Sequence, residues 1–554
     1  MLKDKKCYFN LNINIFLALL IIVVMFSFTF TVDATQKINE KIVRFDEVWP
    51  PRLDPALGQD FSSSIIYANV YDSLVFPEPN GTVHPHLAES WGISSDGLMY
   101  KFKLRQGVKF HNGNELTADD VVFSLKRLMT MGEGYAYLFT PIIEDIKAEG
   151  KYQVIFKLKN SFGPFLNALV NLYIINKQEI IAHIKKPGNY GENGDYGREW
   201  LLTNDAGSGP YKVKEMKLAE HLIAEKFDDY WLGFEENNPD SFVLIGTEEP
   251  VTIRTLMARR EFEITDQWQS EENYKAMAQI EGVDIAKFPS GSLLAIQLHN
   301  KKAPTDDIHI RRALAYAMDY NMLINGVFPG ATQPKGPVSS ILLGHKKDIF
   351  QYNTNIEKAK EELKKSKYFG KLDQFPIDVC YAAEWTTADK IALLFKACAA
   401  KIGIKVNIAK QPWAKMIADV TMPETTAQAN ILTVAPHYSE AGSPLSRYHS
   451  HSCGTWEQTE WLQSSEIDEM ITDALSTVDM TERIEKYYNL QEKLVELCPS
   501  IWLVDVLEKH AYQSAYLEWG TAQRVKIGGN SIPVQGYNLY MRDIKVFPER
   551  IPEK

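Results

Sequence analysis

The sequence predicts an α/β protein built around several sheets, and three observations support this. Period-two strand patterns alternate along the chain with helical stripes. Helix start and stop signals fall between them, and no repeat of 20–50 residues is present. The length of 554 residues, at about 150 residues per domain, implies roughly three structural units or two large lobes.

The elements follow in chain order. Tyr100-Lys101-Phe102-Lys103-Leu104-Arg105 places three apolar side chains on one strand face. After the turn His111-Asn112-Gly113-Asn114, Thr117 stands where a helix N-cap belongs and Asp120 follows three residues later. Val121, Val122, Leu125, Leu128 and Met129 continue as a helical stripe. A helix over about 357–368 carries Ala359 and Leu363 on one face. Strand 377–381 leads into helix 387–402, which Gly403 stops, and Ile404-Lys405-Val406 forms the next strand.

Composition narrows the classes. A hydrophobic fraction of 45% is enough for a sizeable core, which excludes a disordered chain. With 32 Gly and 26 Pro the chain is neither collagen-like nor of low complexity. The net charge of −11 argues against a nucleic-acid partner, because phosphate contacts need clustered Lys and Arg.

The first 34 residues read as a cleavable signal peptide. Lys3, Lys5 and Lys6 precede an apolar run from Ile15 to Phe30, and Val32-Asp33-Ala34 supplies small residues at −3 and −1. Cleavage after Ala34 leaves 520 residues, and losing three Lys and two Asp takes the charge from −11 to −12. Cys7 precedes the apolar run, so it is not a lipoprotein's acylated cysteine. Cys380, Cys398, Cys453 and Cys498 remain in the exported chain, where they permit three full pairings or service as small buried hydrophobes.

Several segments then occur in a telling order. Ala88-Glu89-Ser90-Trp91, Ser95-Asp96-Gly97-Leu98-Met99-Tyr100-Lys101-Phe102, Leu104-Arg105-Gln106-Gly107-Val108-Lys109-Phe110-His111 and Leu116-Thr117-Ala118-Asp119-Asp120-Val121-Val122-Phe123-Ser124 come first. Gly207-Ser208-Gly209-Pro210-Tyr211, Phe227-Asp228-Asp229-Tyr230-Trp231, Asn300, Arg311 to Asp319, Gly330-Ala331, Ile467-Asp468, Arg483 and Pro499-Ser500-Ile501 follow. Together they resemble the peptide/nickel-type extracellular solute-binding proteins (family 5) of ABC importers over about 40–545. Most of these residues serve the scaffold. Gly97 and Gly107 sit at turns, Gly209-Pro210 turns the chain before Tyr211 resumes a strand, and the helix near Arg311 stacks Ala313, Leu314 and Ala317 for close packing.

The resemblance implies a two-lobed periplasmic binding protein, type II-like, with an extra inserted domain and a ligand cleft between the lobes. It maps a discontinuous first lobe to 35–77, 203–290 and 512–554, the inserted domain to 78–202 and the second lobe to 291–511. It implies capture without catalysis: a monomer closes by hinge motion over a small molecule or peptide and docks on an inner-membrane ABC permease. No cofactor is implied.

The cleft loop of the second lobe is expected at Thr433 to Pro444. Peptide-binding relatives usually carry a Trp and an Asp early in this loop, the Asp pairing with the peptide ammonium. Here those places hold Val434 and Pro436 or His437, with Glu440 as a substitute acid beside Tyr438. The departure opens the ligand to sugars or modified peptides as well as peptides. Trp268, Trp385 and Trp413 are candidate flat surfaces, with core packing as their alternative. Ser62 and Ser63 are expected at the first lobe's cleft edge, where they serve a ligand or an ordinary helix N-cap. Arg447 is a candidate partner for a ligand carboxylate.

If extended, His449-Ser450-His451-Ser452-Cys453 would point two imidazoles and a thiol to one face, a weak soft-metal candidate that would suit a nickel complex as ligand. A secreted hydrolase is the alternative of another class, yet no Gly-x-Ser-x-Gly, Walker or zincin motif is present.

Overall fold

Strand Ile42–Glu47 begins a four-stranded sheet that the chain completes only some 200 residues later. It pairs in parallel with Ser241–Gly246, which continues antiparallel to His221–Lys226 and then Tyr211–Lys217. A computed structural model describes residues 41–47, 51–246, 249–385 and 387–552. The expected signal peptide and its cleavage site at Ala34 lie outside the described residues.

A second four-stranded sheet is wholly antiparallel, with Ala88–Ile93, Met99–Leu104, Gln153–Leu158 and Ile143–Ala148 in that order. Tyr100, Phe102 and Leu104 are buried while Lys101 and Lys103 are exposed, as the period-two pattern dictates. The helix that covers this sheet, Ala118–Met131, starts at Thr117, whose backbone N–H donates to Asp120 Oδ2 at 2.9 Å. The Thr117 hydroxyl donates to the same oxygen at 2.8 Å. Gly97 (φ +69°) and Gly107 (φ +75°) take left-handed turns that a Cβ would strain.

The third sheet has five strands in the order Val406–Gln411, Ile377–Ala382, Ala429–Val434, Asp284–Leu298 and Ser500–Tyr512. Its first three strands run parallel, and the last two are antiparallel to each other. Helices Ile308–Ala317, Ile356–Lys365 and Thr387–Ala400 supply apolar faces to its core. Two helix ends fall short of their expected limits. The helix expected to 368 stops at Lys365, because Asp307 takes the Ser366 hydroxyl (2.8 Å) and the Lys367 N–H (2.9 Å). The helix expected to 402 stops at Ala400, and the following strand starts at Val406 rather than Ile404. Lys405 still joins the ladder by accepting from the Ile377 N–H at 2.9 Å.

The apolar interior is divided. One core gathers residues from Val43 to Phe288 with Tyr516 to Val546 and takes in Tyr438, and another gathers Leu293 to Val504. Only the long strands Asp284–Leu298 and Ser500–Tyr512 run through both, and their register breaks between Pro289 and Leu293. Gly291 lies in that break at φ +79°, where a β-branched or bulky residue would be strained. A two-stranded ribbon whose register breaks here and again between Leu294 and Ala295 is a ready hinge.

Among the described residues no helix is long and apolar enough to cross a membrane. The four cysteines among the described residues are free, with Cys380, Cys398 and Cys498 buried.

Candidate functional site

The carboxyl ends of parallel strands are where an open α/β sheet leaves a crevice for ligand. In the third sheet, strands 377–382, 406–411 and 429–434 end on one edge, and the chain continues directly into Trp385, Trp413 and His437. Trp413 is 37% exposed and meets Trp456 edge-on at 5.8 Å. Its backbone N–H donates to the Glu384 carboxylate at 3.0 Å. Trp385 is half-buried against the second core. His437 Nε2 lies 2.9 Å from Glu457 Oε1, and its ring meets Tyr137 edge-on at 5.1 Å. Burial raises the Glu457 carboxyl, but the His437 ring holds it below its usual range.

The first sheet presents an acidic floor at the corresponding edge. Strand 42–47 ends in Asp46 and Glu47, both fully buried. Ile264 bridges Phe45 in parallel and Tyr512 in antiparallel fashion, which brings Asp266 beside Asp46. Asp46 Oδ1 accepts the Asp266 N–H at 3.0 Å, and Glu47 Oε2 accepts the Ser62 hydroxyl at 3.3 Å. Asp266 Oδ1 accepts from Gln269 Nε2 (2.7 Å) and the Trp268 N–H (3.1 Å). Asp46 Oδ2, Glu47 Oε1 and Asp266 Oδ2 are buried with no hydrogen-bond partner among the described residues. Burial, reinforced by the neighbouring carboxylates, pushes Asp46 and Glu47 well above the carboxylate range, and burial takes Asp266 up to about 6.

Both edges converge on the hinge. Glu508 stands opposite Phe288 in the ribbon and lies 2.9 Å from His510 Nε2, whose Nδ1 is 2.5 Å from Thr265 O. A Cβ on Gly291 would lie 3.0 Å from Pro436 of the second-lobe loop and 3.2 Å from Pro533. Contacts also span the gap on either flank. On one, Asn167 Nδ2 donates to Glu440 Oε2 (2.9 Å) and Asn171 Nδ2 to His437 O (2.6 Å). On the other, Lys390 Nζ stands 3.8 Å from Glu272.

Several residues singled out from sequence are occupied elsewhere. Glu440 is fully buried and receives Arg483 Nε (2.6 Å), the Tyr487 hydroxyl (2.7 Å) and Asn167, so its carboxylate is not free for a ligand. Arg447 is paired with Glu460 at 3.0 Å beneath the surface, which corrects the expectation of a ligand clamp. Tyr438 is buried edge-on to Phe162. Ser63 belongs to the first turn of helix Phe61–Val70, where its hydroxyl donates to the N-cap Asp60 (2.9 Å) and accepts the Arg52 N–H (2.9 Å). Ser62 is buried too, but its hydroxyl reaches the acidic floor. Trp268 is 49% exposed, with Phe61 edge-on at 5.6 Å.

The His449–Cys453 segment is not extended, which corrects the metal-triplet reading. Ser450–Ser452 is a 3-10 turn, and the Ser450 N–H is captured by Asp468 at 2.8 Å. Burial pushes the Cys453 thiol up to about 11, so it stays protonated and donates to Gln458 Oε1 at 3.0 Å. Among the described residues no group of three or more His, Cys, Asp or Glu side chains is arranged to hold a metal ion.

Sequence reasoning missed Asp46, Glu47 and Asp266. The available signal was two adjacent acids ending the apolar strand Ile-Val-Arg-Phe, where period two allows only one to face solvent.

The profile of the bacterial extracellular solute-binding proteins, family 5 Middle, matches residues 82–454. The chain is 27% identical over 473 residues to the probable D,D-dipeptide-binding periplasmic protein of Escherichia coli (strain K12), covering 82% of this chain and 86% of that protein. It is 25% identical over 533 residues to the dipeptide-binding protein of the same strain, covering 86% and 94%. The fold superposes with a TM-score of 0.74 on the ABC transporter-associated periplasmic binding protein of Helicobacter pylori in complex with the peptide STSA. That match has 22% identity and covers 92% of this chain and 99% of the other.

Proposed function

The chain belongs to the bacterial extracellular solute-binding proteins of family 5, and from that membership we propose that it captures a peptide or peptide-like solute for an ABC importer. The two lobes close about the ribbon at Gly291, and the closed form delivers its cargo to an inner-membrane permease. One observation carries the reading: strand ends from two separate cores converge on one hinge, with tryptophans on one side and buried acids on the other. The relatives named for dipeptides support a peptide as the cargo.

The first lobe comprises 35–77, 203–290 and 512–554, the inserted domain 78–202 and the second lobe 291–511. The division of the apolar cores between Phe288 and Leu293 supports the boundary of the second lobe at 291. Residues 1–34 direct export to the periplasm and are cleaved after Ala34. The relatives are binding proteins, so the role is capture rather than hydrolysis. Trp268, Trp385, Trp413 and His437 line the cleft, while Ser63, Tyr438, Glu440 and Arg447 hold its walls.

Native mass spectrometry of the protein as purified, paired with small-angle scattering before and after cargo is stripped, tests this. A bound mass in the peptide range, and expansion on stripping, is expected. Cleavage of labelled peptides, or no retained or added peptide at millimolar concentration, would overturn it.

A further inference from the structure

We propose that the acidic floor formed by Asp46, Glu47 and Asp266 binds the positively charged end of the ligand, a primary ammonium or a guanidinium. The inference deepens the solute-capture reading and rests on it.

Three buried carboxylates without a counter-ion are the starting point. Among the described residues the other buried acids have partners for their oxygens, Asp505 from the Ser339 hydroxyl and the Ser340 N–H and three more from arginines. Asp54 has Arg127 at 2.6 Å, Glu440 has Arg483 at 2.6 Å, and Glu460 has Arg447 at 3.0 Å. At the floor, one oxygen each of Asp46, Glu47 and Asp266 has no partner among the described residues. An ionised group held that way is strongly disfavoured unless a cation joins it. The nearest imidazole, His510, has its two ring nitrogens against Thr265 O and Glu508 Oε1, so it donates nothing to the three acids.

Independent features point the same way. Trp268, two residues from Asp266, is half-exposed, and an indole face attracts a cation that the neighbouring carboxylates hold. Among the described residues the fully buried lysine and arginine side chains, Arg127, Arg311, Arg447, Arg483 and Lys509, are each committed to a carboxylate or carbonyl of the protein. The floor therefore offers a ligand three buried carboxyl oxygens that no lysine or arginine of the described residues reaches. On the second lobe, Val434 and Pro436 cannot take an ammonium, and Glu440 is neutralised by Arg483. The charge that recognises an amine has its place on the first lobe instead. An ammonium there donates to up to three oxygens, and charge-assisted hydrogen bonds in a dry cleft are the strong ones.

The test uses the full exported chain and three variants, Glu47→Gln, Asp266→Asn and the double substitution. Each keeps the shape of the side chain while removing its charge. The probes are a pentapeptide library lacking Lys and Arg, in free-amine and N-acetylated halves, together with putrescine and arginine in thermal-shift and calorimetric titrations. The wild type is expected to enrich free-amine peptides over acetylated ones by at least tenfold. The double variant, folded by circular dichroism, loses that preference. Equal binding of acetylated and free-amine peptides by the wild type would overturn the cation subsite and leave peptide capture standing. Binding of putrescine or arginine that is lost in the double variant, with no peptide bound, would support the subsite and remove peptides as cargo. No binding of any cationic probe would overturn the proposal.

Discussion

Asn167, in helix Phe165–Ala168, donates to Glu440, in the loop after strand Ala429–Val434, at 2.9 Å and across 273 residues of sequence. The same carboxylate neutralises Arg483, whose NH1 also donates to Thr477 O (2.9 Å) and Val478 O (2.8 Å). One buried acid thus ties an internal ion pair to a contact between separate parts of the chain.

Replacing Glu440 with Ala leaves the Arg483 guanidinium buried without its counter-ion. Such a loss costs about 3–5 kcal/mol. Differential scanning calorimetry should show a lowered transition for Glu440→Ala and a smaller drop for Glu440→Gln, which keeps acceptor and shape. An unchanged transition in Glu440→Ala would show that the pair contributes nothing.

The contact continues at Gly163, whose N–H donates to Leu475 O at 2.7 Å. A Cβ there would come within 2.1 Å of Thr477 O. Gly163→Val should therefore wedge its segment off Leu475 and Thr477. Small-angle scattering is expected to give a larger radius of gyration than wild type, with unchanged helix content. Identical scattering profiles would mean the backbone absorbs the wedge locally.

The acidic floor makes stability depend on pH in a definite direction. Burial raises the proton affinities of Asp46, Glu47 and Asp266, so in this window the folded protein holds protons that the unfolded chain releases. The stability tied to those protons is full below the unfolded carboxylate range near 4. It is lost as pH rises through about 6 for Asp266, and burial shifts Asp46 and Glu47 in the same direction. The ligand-free melting temperature should fall between pH 5 and pH 8. The slope should flatten in Glu47→Gln/Asp266→Asn, the difference amounting to roughly 1–3 kcal/mol. A parallel pH profile in the variant would rule the floor out as the cause.

The cysteines should be chemically quiet. Burial pushes the Cys380, Cys453 and Cys498 thiols up to about 11 and raises Cys398 as well. Thiol titration of the exported chain should find four groups in denaturant. In the native state only half-buried Cys453 should react, and slowly. Fewer than four in denaturant would reveal a disulfide.

Features governed by neighbours in sequence were legible. The alternation through Tyr100 and the capping carboxylate of Asp120 need only a few residues to declare themselves. The motif order also led to the two-lobed fold. Polar residues were harder, because their roles depend on distant partners. Glu440 reads as a free acid until Arg483, 43 residues on, is brought to it. The histidines of 449–453 read as an extended triplet until Asp468 caps Ser450 into a turn. Asp46 and Asp266 lie 220 residues apart and join only through the bridges made by Ile264.

The divided core has a consequence for a chain that emerges from one end. The second core draws on one continuous run from Leu293 to Val504, so it can assemble as soon as that run is free. The first core begins with Val43 yet draws on Tyr516 to Val546, so its earliest strands wait for nearly the last residues translated. Until then its apolar faces stay uncovered, and a chaperone that shields the nascent chain would find its client in the first lobe.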